Sequence, residues 1–129
     1  MTLSISKEFG FSASHLLEGL PADHKCGRLH GHSYRVRVEL SGERDPIGFI
    51  IDYGELDWVR NLIDTQLDHR HLNDAIDVNP TAENIAEWLS DHVASWITRR
   101  PESERIHSVA VAVSETATTW ATSTRHLKG

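Results

Sequence analysis

An α+β fold, with a β-hairpin on either side of a pair of helices, is what this sequence predicts, on three observations. Apolar residues alternate with polar or small ones near both ends of the chain. The middle carries apolar residues at helical spacing. Turn-forming residues separate the segments at short intervals. The order is ββααββ. Consecutive strands usually pair, so two hairpins joined by two helices give an antiparallel four-stranded sheet with both helices on one face.

The first strand is expected over Leu3 to Phe11, with Ile5, Phe9 and Phe11 on one parity and Ser12-Ala-Ser-His15 closing it. Leu16 to Leu29 is a long connection containing Gly19, Pro21 and Gly27, of the length that often carries function. Tyr34, Val36, Val38 and Leu40 alternate with Ser33, Arg35, Arg37 and Glu39 and mark the second strand. A turn over 41–48 leads to a short extended piece, Phe49-Ile-Ile51. Asp52 opens the first helix, with Glu55 three residues on in the reciprocal capping pattern and Leu56, Val59, Ile63 and Leu67 as its apolar stripe. Asp68 to Pro80 reads as a polar loop. Thr81 caps a second helix carrying Ile85, Trp88, Leu89, Val93 and Trp96. The Arg99-Arg-Pro stretch ends it. Ile106 to Ser114 and Thr118 to Arg125 are the last two strands. Ala110, Ala112 and Ser114 leave one sheet face small and polar, and the exposed edges of such a sheet favour self-assembly.

The 129 residues fit one domain spanning 1–129, with no repeat and no low-complexity segment. No apolar run approaches the roughly 20 residues that cross a bilayer. The N-terminus lacks the apolar core of a signal peptide. One cysteine forms no internal disulfide, so the expected compartment is the cytoplasm. A net charge of −6 argues against nonspecific nucleic-acid binding.

Nine histidines are dispersed through the chain. The densest chemistry is Cys26-Gly-Arg-Leu-His30-Gly-His32. If the second strand extends back to His30, its period of two puts both imidazoles on one face. His15 ends the first strand, and an antiparallel pair would bring it to the same end of the sheet. Three histidines with an open fourth position are the pattern of a catalytic zinc rather than a structural one. An isolated His-x-His is most often a surface pair; the paired strands and the third histidine favour a metal here. Lys25 and Arg28 flank Cys26, which is either a fourth ligand or a free thiol acting as a base. Asp68 and His69 are adjacent where the first helix ends, the arrangement in which a carboxylate orients an imidazole; His71 is an equal candidate on sequence. Glu115 follows the third strand, where a carboxylate could accept paired hydrogen bonds from an amino-heterocycle. Thr81 and Glu83 read first as a helix cap and a first-turn acid. The four tryptophans read as core or interface residues.

Phe11-Ser-Ala-Ser-His15, Cys26 to His32, Ile51-Asp-Tyr53, Leu67-Asp-His69 with Leu72-Asn73, Asn79-Pro-Thr-Ala-Glu-Asn84 and Ser114-Glu-Thr116 together resemble the 6-pyruvoyl-tetrahydropterin synthase superfamily. The resemblance is closest to its 6-carboxy-5,6,7,8-tetrahydropterin synthase branch, of 7-deazaguanine (queuosine-type) biosynthesis. The Cys-x-x-x-His-Gly-His spacing carries the choice of branch. Trp120 and the tail Arg125-His-Leu-Lys-Gly129 match least. The resemblance implies a tunnelling fold, trimers that pair into a hexamer, and active sites between subunits. It implies zinc on His15, His30 and His32, Cys26 as the proton-abstracting base, and Asp68 and His69 as a relay from a neighbouring subunit. It further implies Glu115 as the pterin anchor with Thr81 and Glu83 near the ring, and 7,8-dihydroneopterin triphosphate as substrate. Lys25, Arg28, Arg35 and Arg70 are the basic residues the sequence offers for the triphosphate.

Overall fold

The structure, a computed structural model, describes residues 2–127; Met1 and the Lys128 and Gly129 of the tail lie outside the described residues. Four strands, β1 (Leu3–His15), β2 (His30–Gly42), β3 (Ile106–Thr116) and β4 (Thr119–His126), form one sheet in the order β1-β2-β3-β4. Every neighbouring pair is antiparallel. The main helices are α1 (Asp57–Gln66) and α3 (Ala82–Thr98), with a single turn, α2 (Leu72–Ala75), between them. This is the ββααββ tunnelling fold.

One sheet face supplies the core. Phe9 and Phe11 of β1, Val36, Val38 and Leu40 of β2, and Val109, Val111 and Val113 of β3 pack with Val59 and Ile63 of α1 and Ile85, Leu89 and Val93 of α3 in a single buried cluster. Each fully buried aliphatic side chain contributes about 1.5–3 kcal/mol of transfer free energy. Trp58 and Trp96 stack at 4.8 Å and join α1 to α3. At Gly42 an added Cβ would lie 2.1 Å from the Arg105 carbonyl, so only glycine lets β2 pass the start of β3, where the register shifts.

Four local features differ from the expectation. β1 and β2 both run further toward the open end of their hairpin, to His15 and back to His30, because Ala13, His15, His30 and His32 continue the inward parity of Phe11 and Tyr34. Phe49 to Ile51 is not extended. The Asp45 carboxylate accepts from the amides of Ile47, Gly48 and Phe49 and winds the segment into a turn, leaving Ile50 and Ile51 to plug the core singly. Asp52 caps a 3₁₀ turn (Tyr53–Leu56) ahead of α1 by accepting from the Gly54 amide, and Glu55 pairs with Arg100 at 3.1 Å instead of closing a capping box. The loop after α1 contains α2, whose Leu72 is buried. Among the described residues no helix is long and apolar enough to cross a membrane.

Candidate active site

Strand register builds the centre of the site. His15 and His30 are directly opposite each other at the open end of the β1–β2 hairpin, and His32 lies opposite Ala13. The period of two turns all three imidazoles to one face. Their ligand-competent atoms lie within 4.8 Å of one another, the one such group among the described residues.

Backbone carbonyls fix the proton positions. His15 Nδ1 is 2.8 Å from the Pro80 oxygen and His30 Nδ1 is 2.6 Å from the Arg28 oxygen. A carbonyl can only accept, so each Nδ1 carries hydrogen and each neutral ring presents a lone pair at Nε2. Those two Nε2 atoms face each other at 2.9 Å. Two lone pairs this close repel unless a cation lies between them. Burial is the main influence that pushes the His15 pKa down, reinforced by His30 and His32 and opposed by the Pro80 carbonyl and Glu115. That favours the neutral, ligating form. Glu115 adds the complementary charge: its Oε2 is 3.8 Å from His15 Nε2 and 3.7 Å from His32 Nε2, is buried, and has no hydrogen-bond partner. An orphaned buried carboxylate oxygen beside nitrogen lone pairs fits a divalent cation, and imidazole donors suit zinc.

Two asparagines hold the loop that follows His15. Asn73 accepts from the Leu16 amide and donates to the Leu16 carbonyl, and Asn79 does the same for Glu18. Asn79 is itself held by Asn84, and Thr81 caps α3 by accepting from the Asn84 amide. These contacts set the Pro80 carbonyl that orients His15. The sequence reading did not assign these asparagines a role; their signal is two side-chain amides, each able to satisfy both backbone groups of one residue. Cys26 sits half-buried in a 3₁₀ turn (Lys25–Gly27), whose amide is capped by His24 and whose carbonyl accepts from Leu17. Its sulfur is not part of the ligand group.

His69 and His71 have different partners. Asp68 Oδ2 is 3.0 Å from His69 Nδ1, while Asp68 Oδ1 accepts from the Ser12 amide. Those contacts, the Ser12 amide first, hold the Asp68 carboxyl below the usual carboxylate range. His71 Nδ1 is bound to the Ser14 hydroxyl at 3.0 Å. His69 has a left-handed backbone, φ 58°, and its amide donates to the Ser12 carbonyl. Segment 68–71 thus runs along the outer edge of β1. It lines a shallow groove with Ser12, Ser14 and Ser33, residues of the parity opposite to the three ligands; His32 reaches the rim.

A second cavity is lined by Glu115 and Glu83, with Ala82, Val113 and the β4 residues Thr119 to Ala121. Of the predicted pair Thr81 and Glu83, Glu83 lines this cavity, while the Thr81 hydroxyl accepts from the Asn84 amide as the cap of α3. Trp120 also lines it, a residue whose place there the sequence did not reveal.

Fold and site together define an α+β protein with a three-histidine metal-competent corner beside an acidic cavity. The profile of the 6-pyruvoyl tetrahydropterin synthase family matches residues 4–126, and the chain belongs to that family. It is similar to the 6-carboxy-5,6,7,8-tetrahydropterin synthase of Synechocystis sp., 40% identical over 95 residues that cover 66% of this chain and 70% of the relative. It is also similar to the dihydroneopterin monophosphate aldolase of Pyrococcus furiosus, 42% identical over 65 residues covering 50% and 55%. Among solved structures, the 6-pyruvoyl tetrahydropterin synthase of Caenorhabditis elegans superposes with a TM-score of 0.74 at 26% identity, over 98% of this chain and 96% of the other.

Proposed function

We propose that the protein is a zinc-dependent 6-carboxy-5,6,7,8-tetrahydropterin synthase, acting in the cytoplasm on 7,8-dihydroneopterin triphosphate for 7-deazaguanine or queuosine formation. With water, the substrate yields 6-carboxy-tetrahydropterin, acetaldehyde and triphosphate. The side chain supplies the electrons that reduce the ring, so no redox cofactor is needed. The observation that carries this reading is the histidine corner with its orphaned Glu115 oxygen, together with the 40% identity to a relative of that name.

His15, His30 and His32 would hold the zinc, which when bound polarises the hydroxyl oxygens of the substrate side chain. Cys26, kept off the metal, takes a proton from that side chain as the thiolate. His69 moves a second proton; Asp68 holds its Nδ1–H and supports the imidazolium that forms, so the transfer runs through Nε2. The dyad lies along the edge of β1, on the side opposite the ligands by parity, which is consistent with its serving the metal corner of a neighbouring copy in a trimer-based hexamer. Glu115 accepts from the amino-heterocyclic edge of the pterin. Glu83 lies beside it in the same cavity, and Thr81 acts by capping the helix that presents Glu83.

The similarity to a named aldolase gives a second reading a definite basis: carbon–carbon cleavage that leaves a different pterin. Mass spectrometry of the products from zinc-loaded protein and 7,8-dihydroneopterin triphosphate, beside a chelated control, separates the possibilities. The expected result is the carboxy-pterin with acetaldehyde, absent from the control. A pyruvoyl product with the carbon chain intact, an aldol product, or no turnover at full zinc occupancy would overturn the proposal, the last in favour of a pterin-binding module.

A further inference from the structure

Tyr34 is buried, and it lies two residues after His32 on the sheet face that carries the three ligands. Phe11 stands opposite it in the β1–β2 register and stacks on its ring at 4.7 Å, 9° from parallel. The same phenol ring meets His15 and His32 at steep angles, 89° and 76°, with centroids 6.0 and 5.6 Å away. Its oxygen lies 3.2 Å from His15 Nδ1, the atom whose hydrogen the Pro80 carbonyl accepts at 2.8 Å. With the hydrogen on Nδ1, the phenol oxygen can only accept there. His15 thus offers one N–H to two oxygens, a three-centre bond. Among the described residues the Tyr34 hydroxyl makes no other hydrogen bond, so its own hydrogen has no acceptor.

The three ligands are held unequally. His30 has the Arg28 carbonyl at 2.6 Å, and His15 has Pro80 and Tyr34. His32 makes no hydrogen bond among the described residues. Apart from Glu115 Oε2 at 3.7 Å, its close neighbours are the rings of His15, His30 and Tyr34. Of those three rings, Tyr34 alone is not a ligand, and its stack on Phe11 makes it the fixed wall. We propose that Tyr34 is a positioning residue of the metal corner: its phenol oxygen shares the His15 Nδ1 hydrogen with Pro80, and its ring holds the His32 imidazole where the three donors converge. This rests on the metal reading of the corner and not on the identity of the substrate. An acceptor behind a ligating imidazole fixes the ring's orientation and raises the basicity of the opposite nitrogen. Phenylalanine at this position keeps the stack on Phe11 and the wall against His32 and loses only the oxygen, so the two contributions separate.

The test is zinc affinity, measured by competition with a chromophoric chelator, beside denaturant unfolding of the metal-free protein. Tyr34→Phe is expected to lower zinc affinity about tenfold, the low end of what losing such a partner costs, because the Pro80 carbonyl remains. The metal-free variant should be as stable as metal-free wild type, since the hydroxyl gives up no acceptor of its own. Tyr34→Leu, which removes the ring as well, should lower the affinity further. Cobalt in place of zinc adds a spectroscopic signature, because it shifts the Nδ1 proton resonances of its imidazole ligands far outside the ordinary range. The His15 proton should exchange with water faster in Tyr34→Phe, while that of His30, held by Arg28, is unchanged. Zinc affinity unchanged in Tyr34→Phe, or lowered only in step with the stability of the metal-free protein, overturns the proposal. So does a His15 proton that exchanges no faster. Equal zinc affinities in Tyr34→Leu and Tyr34→Phe overturn the part given to the ring. A wild type that binds no zinc refutes the corner itself and the inference with it, whereas a Tyr34→Phe variant that binds as wild type does refutes the inference alone.

Discussion

The histidine corner and the Asp68–His69 edge are both built against β1, yet they are finished to different degrees. His15 is fully buried, two of the three rings have their protons fixed by carbonyls, and a carboxylate waits beside them. His69 has its side chain 82% exposed on a left-handed backbone, supported by one carboxylate. A metal needs its donors converged before it arrives, and strand register achieves that within one chain. A proton shuttle needs an exposed face and a partner surface. The difference teaches that the metal-competent corner is complete within one protomer, whereas the proposed relay is presented outward.

The largest effect comes from breaking the corner. His30→Ala is expected to lose zinc and turnover together; full zinc occupancy by metal analysis in that variant would refute a three-histidine site. Next, Cys26→Ala should lower turnover by about 10³-fold or more while zinc stays bound, the magnitude of losing an essential base. Loss of the metal in that variant would make the thiol a ligand. Asp68→Asn sharpens the contrast from the other side. Its amide oxygen still accepts from Ser12, but its NH₂ faces His69 Nδ1 and selects the wrong tautomer, so turnover should fall about 10²-fold with zinc unchanged.

Asp68 also gives a pH signature. Its carboxyl is held below its ordinary range in the folded state, so its ionised form stabilises the fold. That contribution is present above the unfolded-state value and is lost as pH falls through the folded one. The stability difference between wild type and Asp68→Asn, read by denaturant unfolding, should therefore shrink on acidification below about pH 4. A difference that grows in acid contradicts the assignment. The smallest effect on stability is at His69. A left-handed non-glycine residue stores strain of about 1 kcal/mol, so His69→Gly should leave stability unchanged or slightly higher while turnover collapses. A marked loss of stability would show that the imidazole is structural.

Much of this was legible in the sequence because it depends on parity. Tyr34 to Leu40 alternate so cleanly that extending the pattern back to His30 put both imidazoles on the face where the structure has them, opposite His15. The long stripe of α3 and its Thr81 cap were equally plain. Elements governed by single side chains winding their own backbone were not: Asp45 turns Phe49 to Ile51 out of extension, and Glu55 leaves its capping role for a distant arginine. The Pro80 and Arg28 carbonyls were invisible because any residue has a carbonyl; only the folded path shows where it points. His69 and His71 were equivalent in the sequence; only the folded path sets one beside Asp68 and the other beside the Ser14 hydroxyl. Trp120 escaped notice because its contacts with Arg35 and Arg37 reach across an intervening strand, through the small side chains of Ala112 and Ser114, a relation that no local pattern encodes.

The most direct test of the metal corner is X-ray absorption at the zinc edge of the loaded protein. The account predicts a shell of nitrogen and oxygen neighbours near 2.0–2.1 Å, three of them imidazole, with no sulfur. A sulfur neighbour at about 2.3 Å would place Cys26 on the metal and contradict the separation of ligand from base on which the mechanism depends.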